Sequence, residues 1–510
     1  MSLKIVSSPL ALPAIAQVAG GGSSENGWFV PCPTSPDEWK RRASAVRGGL
    51  ANQNWVNALA PAFDAHGLAA ERLEKAAKSG IAVTVGQQPG LFGGPLYTWW
   101  KALSAVALAD RLEEITGLPV VPVFWAATDD SDFAETASTL VAVDEATVRI
   151  VLESPGTDGR ALSDIPIGDV GAQLEQLAAA CGSAPHSSIL RQLEAAYRPD
   201  RTVGTAYVGL LRELLEPLGI AVLDAAHPAT RVAGFPVMRR ALQNADAITQ
   251  ALLHRSSILK SAGYTAQVKV VKGRSLVFAE NSGRRERIQT RDSATSLESA
   301  AAGSLGPNVL LRPIVERSII PTVAYLGGPG EIAYFAQVSA VADALGEMTP
   351  LILPRWSGFV VEPRVAKILE RHELTIENFR DPHAVESRIA REAIPTGVAH
   401  RIAELKRTAA NAVSELERED GSDIVSRNVL DGLAQNVNRR IDRLERRYAA
   451  AIKTRGNEAL RDAAIARASL FPGGTPQERS LNIVPFIARY GEEVFEKVLL
   501  EARAHAATLA

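Results

Sequence analysis

The sequence predicts an α/β fold, a doubly wound parallel sheet with inserted segments, followed by an antiparallel helical hairpin. Three observations predict it. Five short apolar runs, Ile81–Gly86, Val120–Ala126, Ile220–Asp224, Thr322–Leu326 and Pro350–Pro354, alternate with helical patterns. Glycine-rich turns, 86–95 and 327–330, link two of those runs to helices. Beyond about Glu362 the chain becomes densely charged, with no proline between Pro395 and Pro472.

Taken in order, residues 19–27 (AGGGSSENG) read as a connector, and Pro36 to Ser79 as helical pattern interrupted at Pro61. Ile81–Gly86 is the first strand. Pro95 suits the first position of a helix, where its missing N–H costs nothing. Apolar residues at 96, 100, 103, 107, 108 and 112 continue that helix until Gly117. Val120–Ala126 then forms a parallel pair with the first strand, which requires a crossover of this length. Segments 140–200 and 262–310 read as insertions, with Gln267–Val271 and Ser275–Ala279 expected to pair as a β-hairpin about Lys272-Gly273-Arg274. In the charged region, apolar residues at 398, 402, 405, 409, 412 and 416, and at 430, 433, 437, 441, 444 and 448, recur at close to the coiled-coil period. Asp420-Gly421-Ser422-Asp423 separates the two rows as a turn. A dimerisation arm is one reading of this hairpin, and a plain helical subdomain the other. The expected domains are 1–361, 362–470 and a segment 471–510 that returns to the core.

Bulk composition excludes several classes. Lys+Arg 55 against Asp+Glu 57 gives a formal charge of −2, so no general polyanion binding is expected. No apolar run reaches the roughly 18 residues of a membrane span. The N-terminus carries one early lysine, and its apolar run is broken by Ser7, Ser8, Pro9 and Pro13, so a cytoplasmic protein is expected. Two cysteines, Cys32 and Cys181, allow neither a disulfide framework nor a Cys-rich zinc site. No redox cofactor is expected.

Four constellations can carry chemistry. The turn Gln87-Gln88-Pro89-Gly90 to Gly94, with Tyr97 and Lys101 one helical turn apart, is a candidate anion cradle opening a helix free of early acids. Tight strand–helix packing is the alternative role for its glycines. Asp129, Asp130, Asp132 and Glu135 crowd the end of the second strand and would repel unless a cation or ligand amine sat among them. Asp129 and Asp132 are candidate Mg²⁺ ligands, and a solvated, helix-capping turn is the alternative. Gly328, Gly330, Glu331 and Tyr334 form a third site, where Glu331 would compete with a phosphate and so favours an amine or hydroxyls. Arg312, Arg355, and Arg479 with Gln477 are candidate partners for carboxylate or phosphate.

The blocks GQQPGLFGGPLYTWWK, VPVFWAATDDSDFAE, NVLLRPIVERSIIPTVAYLGGPGEIAYFAQ and PQERSLN, in this order, closely resemble the cysteine-adding enzymes of bacillithiol biosynthesis, the cysteine ligase BshC family. The resemblance implies a Rossmann-like core related to class I aminoacyl-tRNA synthetases and a coiled-coil arm that forms a homodimer. It also implies the reaction, which joins the carboxyl of cysteine to the amine of glucosaminyl-malate. Such a condensation needs an activated carboxyl, so ATP with Mg²⁺ is the expected co-substrate, and no nucleic-acid or membrane partner is. Lys101 and the Asp129–Asp132 acids are then the catalytic candidates. Amide formation on another amino acid or acceptor, and a non-catalytic binding homologue, are the alternatives. One departure is visible: the family's run of acid, acid, histidine and aspartate is Asp129-Asp130-Ser131-Asp132 here.

Overall fold

The computed structural model describes residues 3–20, 27–153, 156, 159–281, 283–301, 303–381, 383–419, 424–455 and 458–510. The Asp420–Asp423 turn and most of the 19–27 connector lie outside them. The described residues form two compact units, one of Leu3–Val141, Arg149–Val360 and Glu478–Ala510, the other of Ala142–Val148 and Val361–Gln477.

We number the elements that build the site in chain order. The strands are β1 Ile81–Gln87, β2 Val120–Ala126, β3 Ala221–Asp224, β4 Arg274–Asn281, β5 Arg284–Gln289, β6 Leu305–Pro307, β7 Thr322–Gly327 and β8 Ile352–Pro354. The helices are α1 Leu96–Thr116, α2 Arg312–Ile319, α3 Pro329–Leu345, α4 Thr396–Leu416, α5 Arg427–Arg455 and α6 Glu493–Leu509. All five apolar runs become strands of one sheet ordered β8-β7-β1-β2-β3. Every neighbour pair in it is parallel, with Ile81 opposite Val120 and Gln87 opposite Ala126. From β1 the chain moves outward through β2 to β3, then returns to the other side of β1 with β7. The carboxyl ends of β1 and β7 therefore flank the topological switch point, where open α/β sheets bind ligands.

β1, β2 and β7 are buried almost end to end, as expected of parallel strands covered on both faces. Helix α1 is likewise buried around most of its circumference, and Trp99 packs on Phe495 of α6 with ring centroids 5.8 Å apart. Pro95 is the cap of α1 rather than its first residue, and Gly117 closes the helix in the left-handed conformation at φ 68°. Pro61 lies inside the helix Trp55–Phe63, so the break in the early helical region falls before Trp55 and after Phe63.

The β-hairpin is displaced from its predicted position. Arg274–Asn281 pairs with Arg284–Gln289, and β6 adds on the far side of β4. Gly283, at φ 76°, supplies the left-handed residue that the tight connection demands. Residues 267–271 form no strand, and at their second residue the Gln337 amide takes both backbone hydrogen-bonding groups of Val268. Its Oε1 accepts from Val268 N and its Nε2 donates to Val268 O, each at 2.8 Å.

In the smaller unit, α4 and α5 form the helical hairpin. Lys406 on α4 reaches Asp442 at 2.9 Å and Glu445 at 2.8 Å, while Glu417 lies 3.9 Å from Arg427, so the two helices run antiparallel. These half-exposed pairs set register more than stability.

Candidate active site

A cleft of about 550 Å³ opens at the switch point. Its walls come from the ends of β1, β2 and β7, the start of α3, the hairpin β4–β5, and Arg355 and Arg479. Thirteen of the predicted residues line it: Gln87, Gln88, Tyr97, Lys101, Asp129, Asp130, Arg312, Gly328, Gly330, Glu331, Tyr334, Arg355 and Arg479. Gly90, Gly94, Asp132 and Gln477 do not.

The floor is a continuous buried polar chain. Glu316 bonds the hydroxyl of Thr84 and receives Arg312 Nη1 at 2.8 Å. Arg312 Nη2 donates to Tyr325 Oη at 3.1 Å, and Tyr325 donates on to Glu331 Oε1 at 2.6 Å. Glu331 Oε2 meets Lys101 Nζ at 2.5 Å. Lys101 also donates to Gly86 O at 2.8 Å and Gln87 Oε1 at 2.9 Å, and Gln87 Nε2 donates to Tyr97 Oη at 3.1 Å. An ammonium has three donors, and all three of these are committed. Lys101 is thus a brace between β1 and α3, not a free anion ligand.

The electrostatics follow from burial. Burial raises the Glu331 carboxyl, but the Lys101 ammonium and the Gly328 N–H together hold it below the ordinary carboxylate value. Burial draws Lys101 below an ordinary lysine against the pull of Glu331. Tyr97 is pushed up to about 12, first by burial and then by Glu135 and Glu331, so it stays a neutral hydroxyl. Gly86 lets the floor approach closely: a methyl there would stand 3.0 Å from Tyr325 Oη and 3.3 Å from Arg312 Nη1.

The first glycine-rich turn is not the expected anion cradle. Gly93 N donates to Gly90 O and to Tyr197 Oη, Gly94 N to Leu91 O, and Leu96 N to Leu481 O. Asn482, fully buried, donates through Nδ2 toward the carbonyls of Leu91, Phe92 and Gly94 and toward Thr139 Oγ1. The glycines serve tight packing instead, since a methyl on Gly90 would lie 2.7 Å from Gly94 Cα. Asn482→Ala should orphan several of these carbonyls, at about 1–3 kcal/mol for each buried group left unsatisfied. A urea titration should show the lowered midpoint with an unchanged slope.

The acidic turn also resolves into separate roles. Asp129 Oδ2 accepts from Arg285 Nη2 at 3.0 Å. Asp130 accepts from Gln88 Nε2 at 2.6 Å and from the backbone N of Ser131. Asp132 caps the short helix Phe133–Thr136. Asp129 and Asp132 therefore do not converge as Mg²⁺ ligands, and among the described residues no group of three His, Cys, Asp or Glu side chains is placed to hold a metal. Ser131 lines the cleft, so the departure from the family motif falls inside the site.

Arg355 forms a fork-to-fork pair with Glu478, Nη2 to Oε1 at 2.6 Å and Nη1 to Oε2 at 2.9 Å. Gln477 points elsewhere and donates to Ser469 O. Residues missed by the sequence reading include Arg285, Arg287, Phe278 and Tyr325. The first three sit on the hairpin whose strands were misplaced by one, and Tyr325 was hidden as one apolar letter of a strand. Burial raises both cysteine thiols, Cys181 to about 11, and neither lines the cleft, so no activated thiol is present among the described residues.

A parallel sheet with a charged cleft at its switch point defines a Rossmann-like core. Residues 32–356 match the family model "Bacillithiol biosynthesis BshC, N-terminal Rossmann-like domain", and residues 358–508 match the C-terminal coiled-coil domain of the same family. The chain is 34% identical over 445 residues to a protein of Solibacter usitatus named "Putative cysteine ligase BshC", covering 83% of this chain and 84% of the relative. A Koribacter versatilis protein of the same name is 32% identical, covering 84% and 83%. Another from Symbiobacterium thermophilum is 28% identical over 93% of both. The chain belongs to the BshC family of bacillithiol biosynthesis.

Proposed function

We propose that the protein is a cytoplasmic cysteine ligase that forms the amide between the cysteine carboxyl and the amine of glucosaminyl-malate, the last step of bacillithiol synthesis. The carrying observation is the cleft: of the six basic side chains that line it, Arg287 and Arg479 have no carboxylate partner among the described residues, which suits an acceptor bearing two carboxylates. Asp129 and Asp130 line the same cleft and offer carboxylate oxygens to a substrate ammonium.

ATP is the proposed source of activation, since a carboxylate and an amine do not condense in water unaided. Because the acidic turn does not fit a protein-held Mg²⁺, that ion would enter only with the phosphates. The chain's own contribution is orientation and fixed charge. The Lys101–Glu331–Tyr325–Arg312 chain holds the floor rigid and ionised. Purified protein supplied with cysteine, glucosaminyl-malate and ATP–Mg²⁺ should yield bacillithiol by mass spectrometry, and folded protein that yields none would sink the reading. The Ser131 substitution favours one second reading, a shifted acceptor. Turnover of another amino sugar conjugate above that of glucosaminyl-malate would select it.

We also propose a homodimer through the arm. Leu405, Leu416, Leu433, Leu444 and Tyr448, all from the predicted apolar rows, remain 40–51% exposed in the hairpin. Light scattering should report twice the chain mass, and Leu433→Glu with Leu444→Glu should return the protein to monomer with its helicity retained.

A further inference from the structure

We propose that the oxyanion-binding site of the cleft is the start of α3, formed by the free N–H groups of Gly330 and Glu331 together with Arg355 Nε and Arg479. The sequence assigns anions to the first glycine turn and keeps them from this one because of Glu331, and the geometry reverses both assignments. Glu331 folds back onto the cap residue, where its charge is paired. Its Oε1 accepts from Tyr325, and its Oε2 from Lys101 and from Gly328 N at 2.8 Å. The paired ammonium cancels the charge that would repel an anion.

What remains at the helix start is donor-rich. Gly328 is the cap of this 17-residue helix, and its carbonyl already receives the N–H of Ile332. The N–H groups of Gly330 and Glu331 have no acceptor among the described residues. The independent observation is Arg355. Only 2% of this side chain is exposed, and its Nε has no hydrogen-bond partner among the described residues although both Nη groups are paired. A methyl placed on Gly328 would stand 3.8 Å from that Nε and 3.5 Å from Glu331 Oε2, so the orphan donor lies beside the helix start. A buried N–H without a partner is costly, and an oxyanion bridging Nε and the helix N–H groups would satisfy it. Arg479 is exposed, lines the same cleft and has no carboxylate partner among the described residues, so it adds positive charge. The space is open, because a methyl on Gly330 would meet only Gln267 Nε2, at 4.0 Å.

The occupant is a carboxylate or phosphate oxygen group, and the choice between them rests on the ligase reading, in which the acceptor's malate carboxylates and the nucleotide's phosphates are the two sources. The test is calorimetric titration of the full-length protein with L-malate and, separately, with ADP, which reads binding without turnover. Gly330→Asp, which sets a carboxylate in open space, and Arg479→Gln, at an exposed residue, should each weaken one probe by about tenfold or more, the worth of a charge-assisted contact. Loss confined to malate places the acceptor's carboxylates there, and loss confined to ADP places phosphate there. Arg355→Lys keeps the charge beside Glu478 but removes Nε, and should repeat the loss. Folded Gly330→Asp and Arg479→Gln variants with unchanged affinity for both probes overturn the site, as does wild-type protein that binds neither. Intact binding without bacillithiol formation would instead fail the ligase reading and leave the site standing.

Discussion

Lys101→Met is expected to destabilise the protein by about 3–5 kcal/mol, because it leaves the Glu331 carboxylate buried without its counter-charge. Lys101 is 3% exposed and meets three acceptors, two on β1 and one on α3. Removing it frees the end of β1 from the start of α3, so ligase turnover should fall by orders of magnitude even at temperatures where the variant is folded. The pair also sets a pH dependence. Glu331 has its carboxyl lowered in the folded state, so the unfolded chain binds the proton more readily. Its stabilising contribution is complete above the ordinary carboxylate value of about 4.3 and is lost as pH falls through the lowered folded value. In the Lys101→Met variant that acid sensitivity should reverse, since protonation then relieves a buried charge. Chemical denaturation at pH 7 and pH 4 measures both effects.

Glu478→Gln carries the second large effect. Arg355 is 2% exposed and its two Nη groups depend on Glu478, which also accepts from Ser357 Oγ at 2.9 Å. An amide has one acceptor oxygen where the carboxylate has two and no charge to offset the guanidinium, so a loss of about 3–5 kcal/mol is expected. Glu478→Gln paired with Arg355→Met should recover part of that loss, because removing both partners is far cheaper than orphaning one. A double-mutant cycle by thermal or urea unfolding gives the coupling directly. Absence of coupling would show that the fork-to-fork contact does not form in solution.

Much of this architecture is legible from local pattern. The five sheet strands are short apolar runs bounded by glycine or proline, and parallel burial on both faces makes such runs continuous rather than alternating. The cleft was legible too, because loops at the carboxyl ends of β1, β2 and β7 must meet once the strand order reverses. What sequence did not disclose were partnerships between distant residues. Lys101 reads as a free cation beside a glycine turn until Glu331, 230 positions later, is seen against it. Asn482 reads as an ordinary polar residue, yet its amide closes the turn at 91–94. The hairpin was misplaced, and Gln337 satisfies Val268 through a side chain, a substitute for strand pairing that leaves no periodicity behind. Arg285 and Arg287 went with it.

Amide formation in the switch-point cleft is expected to depend on the Lys101–Glu331 brace. The most direct measurement is the rate of bacillithiol formation from cysteine, glucosaminyl-malate and ATP–Mg²⁺ by Lys101→Met protein, at a temperature where circular dichroism shows it fully folded. Turnover is expected to fall at least a hundredfold, about 2.7 kcal/mol of lost transition-state stabilisation. Folded Lys101→Met protein that turns over at the wild-type rate would contradict that dependence.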